Sequence, residues 1–477
     1  TIVISYPQNL MQHVHPGGQL AHREHRLAQL RLVQAVQEVA LVLQRVQADR
    51  VARPDAGPDG AFDAGQRGEA GTVECGHRRG DALLAAPVAA QGLGRPLAHR
   101  VVVGVARPGS PLDEQPRADG YRVVNADPEV GGRYSALTAF GLVPSGLAGV
   151  DVGALLDEAE EVADLLAEDD EANPALRLGA AMGGTSPLRD KLYLVDHGTQ
   201  ISGLGDWAEQ LIAESTGKEG KGLLPVVLDR PGAGAPPADA TVVRLVADDG
   251  EDEVPVAPST VDVGGSLGAQ FLLWETATAV AGRLLGINPF DQPDVESAKQ
   301  AARDLMSGDG ATASEPDLTD GPVTVSHAGG DWLGGASTLD EAVTALLDQL
   351  DPDHGYVAVM AYLDREGDAP FAEVADALAE RVDRPVTFGW GPRFLHSTGQ
   401  YHKGGPATGV YIQVTDEPRE DLPVPGRDFT LGEFIAAQAG GDGQVLADHG
   451  RPVLVLHLTD HDAGLARVGA ALRGDRP

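Results

Sequence analysis

The residues best placed for chemistry begin with Glu214-Ser-Thr-Gly-Lys218, where a carboxylate stands at the junction of a helix and a glycine-rich loop. Trp207, Leu211 and Ile212 recur ahead of it at helical spacing, with Glu209 and Gln210 between them. Gly217, Gly220 and Gly222 follow, and no helix interior favours glycines so close together. A carboxylate at that junction can be held firmly and still be reached by a substrate, although a solvated helix end is the commoner outcome for a glutamate. A second stretch, Val130-Gly-Gly-Arg-Tyr-Ser135, sets Arg133 behind Gly131 and Gly132, which let a backbone approach a ligand closely. Taken alone it also reads as a Gly-Gly turn followed by a surface arginine. A third, Gly391-Pro-Arg-Phe-Leu-His-Ser-Thr-Gly-Gln-Tyr-His-Lys-Gly-Gly405, reads as a polar, cationic loop with two histidines, His396 and His402. Such a loop is dense in groups that bind anions and shuttle protons. Lys299 lies on a helix-patterned segment among Ala298, Ala301 and Ala302, small enough for the helix to pack beside a pocket.

These residues need elements to position them. Val101–Ala106, Tyr121–Val124, Lys191–Val195, Leu223–Leu228 and Thr241–Val246 read as short apolar strands. Helical periods cover 134–149, 151–168, the segment ending at Glu214, 267–285 and 294–305. Residues 232–240 and 248–260 read as loops, and 306–322 as a linker. Beyond it, helix and strand alternate: helices over 338–350 and 369–381, strands over 355–363, 385–388, 408–414 and 452–458. Apolar strands separated by helices argue for an α/β fold, a parallel doubly wound sheet with helices on both faces.

The 477 residues allow two or three domains and a sizeable core. A net charge of −35 repels nucleic acid and anionic membrane, so an anionic ligand needs a local cationic pocket. No apolar run approaches a membrane span, and Thr1-Ile-Val-Ile-Ser-Tyr6 lacks the features of a secretory signal. A lone cysteine, Cys75, rules out an internal disulfide framework and fits a reducing compartment, hence a cytoplasmic location. No His/Cys cluster has metal-ligand spacing, so no metal or cofactor is expected. Residues 1–100 differ from the rest: they contain no lysine, the first being Lys191, and are rich in Arg, His, Gln and Ala. They read either as a genuine N-terminal arm or as translation from another frame of GC-rich DNA, and the second is the expectation.

Asp127-Pro-Glu-Val-Gly-Gly-Arg-Tyr-Ser135, Glu214-Ser-Thr-Gly-Lys218, and Gly286-Ile-Asn-Pro-Phe-Asp-Gln292 followed by Val295-Glu-Ser-Ala-Lys-Gln300 occur in this order. Together they resemble the glucose-6-phosphate isomerase family, in its actinobacterial form, also found as the isomerase half of transaldolase–isomerase fusions. The resemblance covers about residues 101–440. It implies a sugar-isomerase (SIS) fold, interconversion of glucose 6-phosphate and fructose 6-phosphate through a cis-enediol without a cofactor, a sugar-phosphate ligand and a homodimer. It implies Glu214 as the base that moves a proton between carbon 2 and carbon 1. It implies Arg133 as the fixed charge facing the anionic enediol, and Lys299 near ring opening. Gly131, Gly132, Ser215, Thr216 and Gln400 are the expected substrate contacts.

Three departures accompany the resemblance, the mildest being Thr216 in place of the more common Asn of the Glu-Ser-x-Gly-Lys motif. The family's ring-opening histidine, within Asn-Gly-Gln-His, has no counterpart over 215–298, which leaves His396 or His402 for that role. The Ser-Lys-Ser-Gly-Thr-Thr phosphate loop does not occur upstream of residue 101, so the first SIS subdomain is expected to be incomplete. The expected organisation is an atypical segment over 1–100, a remnant of the first subdomain over 101–170, a second subdomain over 171–320 and an α/β elaboration over 321–477. A non-catalytic sugar-phosphate-binding protein and an inactive, damaged isomerase remain alternatives.

Overall fold

The computed structural model describes residues 103–228, 236–247, 259–291, 306 and 315–475. The expectations for residues 1–100, for a helix over 294–305 and for Lys299 lie outside the described residues. The chain divides into two compact units. One runs to Asp169 and takes in Ser266–Leu272; the other comprises Asp170–Gly265 and Leu273–Pro477.

In the first unit, β1 (Val103–Ala106) and β2 (Arg122–Asn125) pair in parallel, connected through α1 (Pro111–Ala118). The 3-10 turn Gly132–Tyr134 precedes α2 (Ala139–Ala148) and α3 (Val152–Ala167). Thr138 and Asp151 cap these helices by accepting the amides of Phe140 and Ala154. The helical period from residue 134 is therefore realised only from Ala139, after the cap. Leu142, Val143, Leu155, Leu156 and Ala159 build a small core with Leu267 and Phe271.

The second unit holds two sheets. The four-stranded one has the order β4-β3-β5-β6, all parallel, from β3 (Lys191–His197), β4 (Leu224–Leu228), β5 (Ala240–Val246) and β6 (Thr260–Val263). Preceding it is α4 (Pro174–Gly183); α5 (Leu204–Thr216) connects β3 to β4, and α6 (Leu267–Leu285) follows β6. A Cβ on Gly179 would fall 2.6 Å from Val280, so α4 and α6 pack closely only because glycine stands there.

The six-stranded sheet has the order β10-β9-β11-β12-β8-β7. Its strands are β7 (Leu318–Asp320), β8 (Val323–Ala328), β9 (Tyr356–Tyr362), β10 (Val386–Trp390), β11 (Gly409–Thr415) and β12 (Val453–Leu458). The four from β10 to β12 are parallel, whereas β8 and β7 add antiparallel at one edge. All seven residues of β9 are buried, which is why it reads as a continuous apolar run. Val357 and Val359 share a core with α7 (Leu339–Leu347), α8 (Val374–Val382) and α11 (His461–Arg473). Tyr356, Ala358 and Met360 share another with α9 (Thr398–Gly404), α10 (Leu431–Asp448) and Leu224 and Val226 of β4. The α/β class with parallel sheets and helices on both faces thus stands. No helix among the described residues is long and apolar enough to cross a membrane.

A buried ionic cluster joins the two sheets. Lys191, fully buried at the start of β3, pairs with Asp190 at 2.8 Å and Asp239 at 3.1 Å and donates to the His354 carbonyl. Arg384, ahead of β10, pairs with Asp239 at 2.7 Å and donates to the Gly355 carbonyl.

Candidate active site

Glu214 is not a solvated helix end. Helix α5 continues through Thr216, and the Glu214 side chain is only 5% exposed. The Thr216 hydroxyl holds the last turn on both sides. It donates to the Ile212 carbonyl at 2.8 Å and accepts the Leu223 amide at 3.0 Å, tying the last turn of the helix to the chain that enters β4. The Gln210 amide lies 3.5 Å from the Glu214 carboxylate.

The loop that follows is fixed from two sides. Helix α9 lies against it: Gln400 donates to the Gly217 carbonyl at 2.7 Å, and the Gly220 amide donates to the Gly404 carbonyl at 2.9 Å. A Cβ on Gly217 would fall 2.3 Å from the Tyr401 Cα, so this approach demands glycine. On the other side, Lys218 reaches the turn that leaves α6. Its ammonium donates to the carbonyls of Asn288 at 2.8 Å and Asp291 at 2.6 Å and pairs with the Asp291 carboxylate at 2.6 Å.

Gly391–Gly405 was expected to be a loop; it is largely helical, a 3-10 turn over Arg393–His396 followed by α9. Part of its cationic character is met from outside the stretch. Lys403 forms a buried ion pair with Asp442, and Arg451 donates to the carbonyls of Lys403 and Gly405. The two histidines differ. His396 is half-buried at the end of the 3-10 turn. His402 is 2% exposed, stacked on Tyr356 and edge-on to Tyr411, and both ring nitrogens are buried without a hydrogen-bond partner.

Burial, followed by the charges of Lys403 and Arg451, drives the His402 ring well below its ordinary value of 6.5, so the folded state keeps it neutral. An unfolded chain takes up that proton as the pH falls through 6.5, so the stability present above 6.5 is lost on acidification. We expect His402→Phe to flatten this acid limb in urea titrations at pH 5 and pH 7.5. Turnover should change far less than the roughly 100-fold that removal of a general acid costs.

Sequence reasoning missed Glu209, one turn earlier on α5. It is half-buried, and loss of hydration there pushes its carboxyl up to about 7, opposed by Arg393 and a hydrogen bond from Ser397, in the segment carrying His396. Its place between apolar helical positions gave it the look of a solvated spacer. Ser215 is fully buried beside Glu214. In the first unit, Arg133 sits on the 3-10 turn behind Gly131 and Gly132 and is 3% exposed, its guanidinium carbon 5.4 Å from the Tyr134 ring centroid. It is a buried arginine rather than a surface one.

No family model matches the chain. Curated relatives do. A glucose-6-phosphate isomerase of Heliobacterium modesticaldum is 33% identical over 246 residues, covering 39% of this chain and 53% of the relative. That of Rubrobacter xylanophilus is 31% identical over 244 residues, with coverage of 39% and 55%. That of Symbiobacterium thermophilum is 29% identical over 265 residues, with coverage of 42% and 56%. The chain thus spans about half the length of the curated relatives it matches. Among solved structures, a glucose-6-phosphate isomerase from Chlamydia trachomatis aligns with 68% of this chain and 69% of its own at 13% identity, with a TM-score of 0.24. The C-terminal domain of glucosamine-fructose-6-phosphate aminotransferase from Francisella tularensis aligns with 69% of this chain and 95% of its own at 10% identity and a TM-score of 0.21. By sequence, the chain is similar to bacterial glucose-6-phosphate isomerases over about two-fifths of its length, and the likeness read from its three motifs stands.

Proposed function

We propose that the chain carries an aldose–ketose isomerase site for glucose 6-phosphate and fructose 6-phosphate. The observation that carries this reading is the Glu214 carboxylate, buried in the last turn of α5 beside a loop fixed by α9 and by the turn after α6. In the open-chain aldose, Glu214 takes the carbon 2 proton as the carbonyl oxygen on carbon 1 gains one, giving the cis-enediol. The same carboxyl returns its proton to carbon 1 as the carbon 2 hydroxyl becomes the ketone. Proton transfer of this kind needs a positioned base and no metal. By motif likeness, Arg133 is assigned to offset the negative charge that develops on the carbon 1 oxygen as the enediol forms, and Lys299 with His396 to ring opening. His396 is favoured over His402, whose nitrogens are enclosed by aromatic rings. By the same likeness, Gly131, Gly132, Ser215, Thr216 and Gln400 are assigned to substrate binding, with the Thr216 hydroxyl and the Gln400 amide acting through the backbone they hold. The reading extends to an SIS-type organisation, a homodimer and a cytoplasmic location. It is supported by the names of the relatives and the chemistry of the matching residues.

The test is a coupled assay in which glucose-6-phosphate dehydrogenase reports glucose 6-phosphate formed from fructose 6-phosphate. Steady NADPH production by the purified full chain is expected. Binding of fructose 6-phosphate without NADPH production would favour a sugar-phosphate-binding protein instead. One observation speaks for that second reading: Lys218 of the base loop and Lys403 of α9 are engaged by carboxylates and Lys221 by the Leu285 carbonyl, so none is a ready phosphate ligand.

A further inference from the structure

We propose that Lys218 is a positioning residue that sets the direction of the Glu214 carboxylate by strapping the base loop to the turn after α6. The inference rests on the isomerase reading only for its kinetic arm.

The Lys218 side chain is 1% exposed, and its three ammonium donors meet three oxygens at 2.6–2.8 Å: the Asn288 carbonyl, the Asp291 carbonyl and the Asp291 carboxylate. The receiving turn is built for this. Asn288 donates from its side-chain amide to the other Asp291 carboxylate oxygen at 3.2 Å and accepts the Phe290 amide at 3.1 Å. The donating loop is equally specified. Lys218 and Lys221 exchange backbone hydrogen bonds at 3.1 and 3.0 Å around Glu219 and Gly220, whose φ values of 57° and 71° are both left-handed. That is the geometry of a type I′ turn, and Glu219 occupies it as a non-glycine residue. Lys221 then donates to the Leu285 carbonyl at 3.0 Å, at the C-terminal end of α6, where cations are favoured. The turn thus grips the exit of α6 with two ammonium groups.

Only three residues separate Glu214 from Lys218, and two of them, Thr216 and Gly217, are themselves held. A shift of the Lys218 end therefore has little slack to absorb it before it reaches the end of α5. A displacement of about 1 Å in a catalytic group costs on the order of 100-fold in rate. Lys218 reaches Glu214 only through this backbone, so its role is geometric.

The experiment compares the full-length wild type with Lys218→Met and Asp291→Asn. For Lys218→Met, kcat should fall about 30-fold while KM stays within about 3-fold, as expected when a catalytic group is misplaced and ground-state binding is kept. Asp291→Asn removes the charge of a half-exposed partner while leaving it an acceptor oxygen, and should give a smaller loss in the same direction. Hydrogen–deuterium exchange over 213–222 should quicken in Lys218→Met while β3 and β9 keep wild-type protection. Unchanged exchange over 213–222 overturns the proposal, as does a kcat loss that only tracks the unfolded fraction. If the wild type itself turns over no substrate, the isomerase reading fails, and the exchange result alone decides whether Lys218 straps the loop.

Discussion

Replacing Glu214 by glutamine should lower kcat by about 1,000-fold, within the range that removal of a general base costs. The substitution keeps the shape of the side chain and its place at the end of α5, so the hydrogen bonds of Thr216 and Gln400 to the loop are retained. A carboxamide, however, cannot take the carbon 2 proton. Two measurements check this: turnover in the coupled assay, and exchange of the carbon 2 hydrogen of glucose 6-phosphate with deuterated water followed by NMR. Both should fall together, with wild-type circular dichroism and Tm. Unchanged turnover would remove Glu214 from the reaction and with it the proposed mechanism.

The largest expected effect on stability belongs to Lys191. It is wholly buried between the carboxylates of Asp190 and Asp239, and its removal leaves buried acceptors without their cation. We expect Lys191→Met to destabilise the fold by about 3 kcal/mol, the cost typical of breaking a buried pair from one side. Urea denaturation at pH 7 measures it. The loss should be partial because Asp239 keeps Arg384. Burial by itself raises the Asp239 carboxyl, but the hydrogen bond from Arg384 and the charge of Lys191 overcome it and hold the group below 3.8. A depressed carboxyl contributes stability that is present above its unfolded value and lost as the pH falls through the folded one. The gap between Lys191→Met and wild type should therefore narrow toward acid pH; a gap of constant size would mean that packing, not charge, explains the loss.

How much of this was legible in the sequence varies with the range of the interactions involved. The strands β3, β4, β5 and β9 and the helix over Leu267–Leu285 follow from local apolar patterns, and the structure places them within a residue or two of the reading. Glu214 was found because a helical period stops beside it. Its burial was not, since α5 packs against α9, some 180 residues away in the chain. The Gly391–Gly405 stretch has a polar, glycine-rich composition that locally favours a loop. Tertiary partners override it: Asp442 neutralises Lys403, and the tyrosines of β9 and β11 enclose His402. Strand β6 was hidden because only Val261 and Val263 alternate in it, after a polar run. The helices α4, α10 and α11 went unread for a related reason, their small residues giving weak apolar periods.

The docking of α9 on the base loop also bears on the order in which the molecule assembles. Gln400 and Gly217 meet across 183 residues, and α9 is itself held by α10 through Lys403 and Asp442. Contacts of such long range close late, because the loop entropy must be overcome before they return any stability. A chain emerging during synthesis can complete its four-stranded sheet while the carboxylate still lies open to water. Competence for proton transfer would then appear only once the C-terminal layer has closed over the loop, and recovery of turnover on refolding would time that last step rather than the formation of the first sheet.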